Sequence, residues 1–151
     1  MNRPKVLCVD DDPGIRHLYD AFLKTHGYQV LLAASGQEAL RISRVRSNDI
    51  AAVITDYEMP GMNGYELASQ LKQGNPKLPI LMIAGNAPQM DDPPVDGSLT
   101  KGASIHEIAE AIEELMVRVQ SQPGWRPALL PLGSALAAVT MVAFLLSRLA
   151  R

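Results

Sequence analysis

The sequence predicts an α/β fold in which helices cover both faces of a five-stranded parallel sheet. Two observations favour this class. Short apolar runs alternate with amphipathic stretches over the first 121 residues, and acidic residues follow two of the apolar runs directly. A β-α-β-α order requires crossover connections, so the strands are expected to be parallel and buried on both sides. Ligands of such sheets bind beyond the carboxyl ends of the strands.

The strands are predicted from five apolar segments, each of ordinary strand length. Four of them are strongly apolar, and the fifth is weaker because it is short and contains glycine and serine. In chain order they are KVLCV (5–9), YQVLLAA (28–34), IAAVIT (50–55), PILMIA (79–84) and GSLT (97–100).

Helices are predicted between these strands from apolar residues that recur at helical spacing. Pro13 suits the first turn of a helix, and Ser35 with Glu38 has the spacing of a capping box. The predicted helices cover residues 13–26, 36–46, 63–74 and 104–120.

Charge is distributed unevenly along the chain. The chain has 14 basic and 16 acidic residues. Residues 1–121 contain 11 of the basic and all 16 of the acidic residues and carry a net charge of −5, whereas residues 122–151 carry +3. An acidic domain has no electrostatic footprint for nucleic acid, so no nucleic-acid partner is expected. The single cysteine, Cys8, lies inside an apolar run, which excludes an intrachain disulfide and suits a reducing cytoplasm.

Carboxylates and one lysine are predicted to meet at a single edge of the sheet. Asp10 and Asp11 follow the first strand, Asp56 ends the third, and Lys101 follows the fifth. Adjacent carboxylates repel one another, and clustered carboxylate oxygens are hard ligands suited to Mg²⁺. The pattern therefore predicts a magnesium site in which the cation neutralises the aspartates.

The segments VDDDPGIR and DYEMPGMNGYEL, together with a lysine after the fifth strand, resemble the receiver domain of two-component response regulators of the chemotaxis type, over roughly residues 4–121. The resemblance implies a flavodoxin-like, doubly wound sheet of five parallel strands. It also implies that a phosphohistidine, on a sensor histidine kinase or a phosphotransfer protein, donates a phosphoryl group to the domain.

The resemblance assigns a role to each residue of the predicted site. Asp56 would be the phosphoacceptor, and Lys101 would pair with the phosphoryl group. Asp10, Asp11, Asp56 and the backbone carbonyl of Glu58 would hold Mg²⁺. The third acid of the run, Asp12, is expected at the surface rather than on the metal, because the family uses the first two acids.

The sequence departs from the family at the fourth and fifth strands. Ala84 stands where the family usually has Ser or Thr, Ser98 replaces the aromatic switch residue, and Gly102 replaces a proline. The segment 85–97 is shorter than usual and contains three prolines, so the fourth helix of the family is expected to be reduced or missing. These departures predict intact metal binding and phosphorylation but weakened coupling to the output face.

The remaining residues change character. Residues 122–127 are predicted to be a linker, 128–147 a transmembrane helix and 148–151 a basic end. The twenty residues 128–147 carry no charge, and about 20 apolar residues span a bilayer. Trp125, Arg126 and Arg148 would anchor the ends of the span. The alternative is a buried or oligomer-forming helix.

The leading hypothesis is a phosphoacceptor receiver that is not an enzyme, lies in the cytoplasm, is anchored to the inner membrane and has no output domain of its own. The alternative is a pseudo-receiver that acts as a constitutive interaction module at the membrane. An aspartate-based phosphohydrolase is disfavoured, because Glu58, two residues beyond Asp56, has another role in the family.

Overall fold

The computed structural model describes residues 3–85 and 93–120. In this part of the chain, five parallel strands pair in the order β2-β1-β3-β4-β5 and four helices connect or flank them, which confirms the predicted fold class. In chain order the elements are β1 (Lys5–Val9), α1 (Pro13–Thr25), β2 (Gln29–Ala33), α2 (Gly36–Arg46), β3 (Ile50–Asp56), α3 (Gly64–Gly74), β4 (Ile80–Ala84), β5 (Gly97–Thr100) and α4 (Ile105–Gln120). The predicted bounds differ from these by no more than one residue at either end.

The central strands β1, β3 and β4 are buried on both faces of the sheet, as their apolar sequences predict. Val6 and Cys8 of β1 pack on the side covered by α1 and α4, whereas Leu7 and Val9 pack on the side covered by α2 and α3. All four side chains are fully buried. Successive side chains of a strand point to opposite faces, so the side chains of a strand covered on both sides are mostly apolar.

The strand order places two acidic residues side by side. β1 lies between β2 and β3, and Val9 of β1 pairs with Thr55 of β3 in parallel register. The next residues in each strand direction, Asp10 and Asp56, are therefore neighbours at the carboxyl edge. The helices that follow β1 and β3 lie on opposite faces of the sheet, which leaves a crevice between these two strand ends.

The edge strand β5 is covered on one face only in the described part of the chain. Leu99 packs against the apolar cluster under α1 and α4. Ser98 and Thr100, which alternate with it, are exposed. A serine therefore fits the position where the family has an aromatic residue, because the side chain faces solvent.

Two predictions fall outside the described residues. The reduced or missing fourth helix concerns residues 86–92, and the linker, transmembrane helix and basic end concern residues 122–151. Among the residues that the structure does describe, no helix is both long and apolar enough to cross a bilayer. The membrane span stays a prediction.

Candidate functional site

Three aspartates from two strand ends form one cluster. Asp10, Asp11 and Asp56 each place a carboxylate oxygen within 4.8 Å of the other two. Asp10 and Asp56 are only 7% and 5% exposed, and Asp11 is exposed. The sequence prediction that these three residues meet is confirmed, and the donor set consists of hard oxygen atoms that suit a divalent cation.

Burial and the neighbouring carboxylates both disfavour the charged form of Asp10. Burial raises the pKa of Asp10, and the nearby carboxylates of Asp56 and Asp11 raise it further. The backbone N–H of Asp12, which donates to Asp10 Oδ1 at 2.9 Å, has the opposite effect on this pKa. A positive ion at this point would stabilise the charged form of Asp10.

Asp56 has one oxygen that is satisfied and one that is not. Its Oδ2 lies 3.2 Å from Lys101 Nζ. Its Oδ1 is buried and has no hydrogen-bond partner among the residues that the structure describes. An ionised oxygen without a partner is costly in a buried site. The bare Oδ1 beside two further carboxylates is therefore a fitting ligand atom for Mg²⁺.

Lys101 contacts two carboxylates. Its Nζ lies 3.2 Å from Asp56 Oδ2 and 3.2 Å from Glu58 Oε2. Burial lowers the pKa of Lys101, but the hydrogen bonds to Glu58 and Asp56 outweigh this effect, so its pKa is raised and the side chain stays charged. The Lys101 backbone N–H donates to the Ala84 carbonyl at 3.2 Å, which fixes the lysine at the end of β4.

A tight loop holds α3 against the end of β3. A Cβ on Gly64 would lie 2.5 Å from the Asp56 carbonyl oxygen, so only glycine allows this approach. Gly61 has a φ of +80°, which suits the third position of a type II turn that has Pro60 at its second position. Asn63 and Glu66 then form a capping box that starts α3. The PGMNG segment therefore fixes the backbone that carries Asp56.

Asp12 has a structural role that the sequence prediction did not assign. It is exposed, as expected, and its side chain accepts hydrogen bonds from the N–H groups of Gly14 and Ile15, which makes it the N-cap of α1. The signal was present in the sequence, since Asp before Pro13 is typical of a helix start. The first two acids therefore belong to the cluster and the third to the helix.

The structure also describes the surroundings of Glu58 and Ala84. The Glu58 side chain binds Lys101, a contact that the sequence analysis did not anticipate. The role of the Glu58 backbone carbonyl on the metal stays a prediction. Ala84 is 7% exposed and ends β4, so no hydroxyl is provided at this position.

Comparison with known proteins agrees with the geometry. The model of the response regulator receiver domain matches residues 6–113. The chain belongs to this family. Receiver domains are the phosphoacceptors of two-component systems, and they bind Mg²⁺ at an acidic pocket that corresponds here to the cluster of Asp10, Asp11 and Asp56.

Among curated proteins, the receiver domain is similar to sporulation initiation phosphotransferase F of Bacillus subtilis, with 32% identity over 121 residues that cover 77% of this chain and 96% of that protein. It is also similar to the alkaline phosphatase synthesis transcriptional regulatory protein PhoP of the same organism, with 30% identity over 78% of this chain and 50% of that protein. The chain spans about half the length of several curated relatives that it matches.

Solved structures share the fold. A receiver domain protein from Clostridium thermocellum is 27% identical with a TM-score of 0.71, covering 77% of this chain and 96% of that one. The response regulator TrrA from Thermotoga maritima, solved in complex with Mg²⁺-BeF, is 30% identical with a TM-score of 0.65, covering 74% and 97%.

Proposed function

We propose that Asp56 accepts a phosphoryl group from the phosphohistidine of a sensor histidine kinase or a phosphotransfer protein, in a reaction that requires Mg²⁺. The observation that carries this proposal is the environment of the Asp56 carboxylate. One of its oxygens faces Lys101 at 3.2 Å, and the other is buried without a partner beside Asp10 and Asp11. A buried carboxylate with these neighbours can both hold a cation and attack phosphorus.

The reaction is a direct transfer to the carboxylate. Asp56 Oδ2 attacks the phosphorus atom, the new O–P bond forms as the P–N bond breaks, and the electron pair stays on the imidazole nitrogen of the donor. Lys101 balances negative charge on the transferred group through its ammonium. Asp10, Asp11 and Asp56 Oδ1 would hold Mg²⁺, which would add its positive charge to that of Lys101 beside the transferring group.

Phosphate incorporation tests the proposal. Acetyl phosphate should label the wild-type protein in the presence of Mg²⁺ and much less after chelation. Asp56→Asn should abolish the label. Asp49→Asn is the matched control, because Asp49 is exposed and pairs with Lys5 at the start of β1, the opposite end of the strand from the site. Equal labelling of Asp56→Asn and wild type would refute the assignment.

A second candidate is supported by the fourth and fifth strands. Ala84 offers no hydroxyl to a phosphoryl group, and Ser98 is an exposed small residue instead of an aromatic switch. These residues favour a constitutive interaction module whose surface does not respond to phosphorylation. Amide hydrogen exchange of β4 and β5 distinguishes the candidates: a change on phosphorylation supports a switching receiver, and an unchanged pattern in fully phosphorylated protein supports the module.

We further propose that residues 128–147 anchor the protein in the inner membrane with the receiver domain on the cytoplasmic side. The support is the uncharged, apolar composition of this segment. Full-length protein should resist carbonate extraction, and a 1–121 fragment should be released. An arginine at the centre of a span opposes insertion by about 2.5–3.5 kcal/mol. Val139→Arg should therefore release much of the protein, and Val139→Leu should not. Wild type in the soluble fraction without detergent would contradict the anchor.

A further inference from the structure

The loop that carries the first two aspartates is held from behind by one side chain. Arg16 Nη1 donates to the carbonyl oxygen of Asp10 at 2.7 Å and to that of Asp11 at 2.9 Å. Residues 10–12 connect β1 to α1, so no strand ladder fixes the backbone of Asp11. Asp10 has a further backbone contact, since its N–H donates to the Ala33 carbonyl at 3.2 Å, so the contacts with Arg16 matter most for the direction of Asp11.

Arg16 is itself well anchored. It lies in the first turn of α1 and is partly buried, and its backbone N–H donates to the Asp12 carbonyl at 3.1 Å. The Asp12 side chain caps the same helix through the N–H groups of Gly14 and Ile15. The Arg16 guanidinium thus extends from a fixed position in α1 back to the loop that precedes the helix.

We propose that Arg16 is a positioning residue for the Mg²⁺ site: it orients the carboxylates of Asp10 and Asp11 by holding their backbone carbonyls. The inference rests on the proposed Mg²⁺ site and adds a residue that does not touch the metal. Its guanidinium binds carbonyl oxygens, so it does not occupy the carboxylate oxygens that would bind the metal. Partners of this kind, one step away from the metal, typically contribute 10- to 100-fold to metal affinity.

The charge of Arg16 and its contacts with the two carbonyls have opposite expected effects on Mg²⁺ affinity, which makes the proposal testable. A cation near the cluster repels Mg²⁺, so removal of the Arg16 charge alone would tighten Mg²⁺ binding. Loss of the two carbonyl contacts would let the loop move and would weaken binding. If Arg16 acts through position, the second effect exceeds the first.

The experiment measures Mg²⁺ affinity of the full chain by amide chemical shifts of residues 10–12 and 56–58, for wild type, Arg16→Gln and Arg16→Lys. Lys24→Gln is the matched control, because Lys24 is an exposed cation on the same helix that pairs with Asp20. We expect Arg16→Gln to bind Mg²⁺ about 10- to 100-fold more weakly, Arg16→Lys to recover part of the loss, and Lys24→Gln to match wild type.

Equal or tighter Mg²⁺ binding by Arg16→Gln would overturn the proposal, and so would a loss of thermal stability without a loss of affinity. If Arg16→Gln does not fold, the folded Arg16→Lys protein decides the matter, since affinity equal to wild type would then overturn it. Absence of Mg²⁺ binding by wild type would instead overturn the metal site itself, together with this inference.

Discussion

Neutralising Asp10 should stabilise the protein without Mg²⁺ and reduce its response to Mg²⁺. Asp10→Asn keeps the shape of the side chain and an oxygen that can accept the hydrogen bond from the Asp12 N–H, now at 2.9 Å. Only the charge is lost. Because Asp10 is buried beside two other carboxylates, its charge is unfavourable until a cation is bound.

The size of the effect follows from the spacing of the cluster. At the outer separation of 4.8 Å, two unit charges repel by about 0.9 kcal/mol in bulk water and by about 3.5 kcal/mol at an effective dielectric constant of about 20. Lys101 offsets part of this repulsion, because it lies 3.2 Å from Asp56. We expect the free energy of unfolding of metal-free Asp10→Asn to exceed that of wild type by about 1–3 kcal/mol at neutral pH.

The pH dependence has a definite sign. The pKa of Asp10 is raised in the folded protein above its ordinary value of 3.8. The favourable contribution of its protonated form is fully present below that ordinary value and is lost as pH rises through the raised pKa. Wild type should therefore lose stability relative to Asp10→Asn over this window, and the difference should stay constant above it.

Denaturant unfolding with and without Mg²⁺ measures both effects. Mg²⁺ should stabilise wild type in proportion to the logarithm of its concentration above the dissociation constant, and should stabilise Asp10→Asn much less. Asp20→Asn is the control. It breaks an exposed ion pair with Lys24 and should cost at most about 1 kcal/mol, with an unchanged Mg²⁺ response. A metal-free Asp10→Asn protein less stable than wild type would refute the repulsion argument.

Three further substitutions test the surroundings of the site. Gly64→Ala should destabilise the fold by about 1–3 kcal/mol in denaturant unfolding, because its Cβ would meet the strand backbone at 2.5 Å; Gly74→Ala, whose Cβ meets nothing within 4 Å, should not. Ala84→Thr should tighten beryllofluoride binding about 10- to 150-fold through one charge-assisted hydrogen bond. Ala84→Val, which adds similar volume without a hydroxyl, should not. Equal affinities of the two variants would show that the hydroxyl does not contribute to binding. Glu58→Gln should speed phosphorylation by acetyl phosphate about 1.4- to 5-fold, which corresponds to the free energy of one exposed ion pair, because Lys101 then forms an ion pair with Asp56 alone. A slower rate would contradict this prediction.

The fold could be predicted because local signals and burial agree. The strands β1, β3 and β4 are nearly continuous apolar runs, and each of them is buried on both faces in the structure. Pro13 and Ser35 mark helix starts by their backbone chemistry, independently of tertiary contacts. The convergence of Asp10 and Asp56 followed from parallel topology alone, since both residues end neighbouring strands.

The contacts that could not be predicted are those that side chains make outside their own helix or loop. Glu58 and Lys101 are 43 positions apart, and their side chains meet only because β5 pairs with β4 in one particular register. The reach of Arg16 back to two carbonyls depends on the angle at which α1 leaves β1. Residue type and spacing specify neither the strand register nor the helix angle, because both are set by the packing of whole elements.

The departures at Ala84 and Ser98 lie on different strands from the buried carboxylates of the acidic cluster. Asp10 and Asp56 come from β1 and β3, whereas Ala84 and Ser98 come from β4 and β5. A phosphoryl group shifts a conformational equilibrium only through contacts that differ between two states. The acidic cluster can therefore accept the group with its chemistry intact, while Ala84 offers no hydroxyl and Ser98 no aromatic side chain to favour a second state. Ala84→Thr separates these two functions, because it adds the contact without altering β1 or β3.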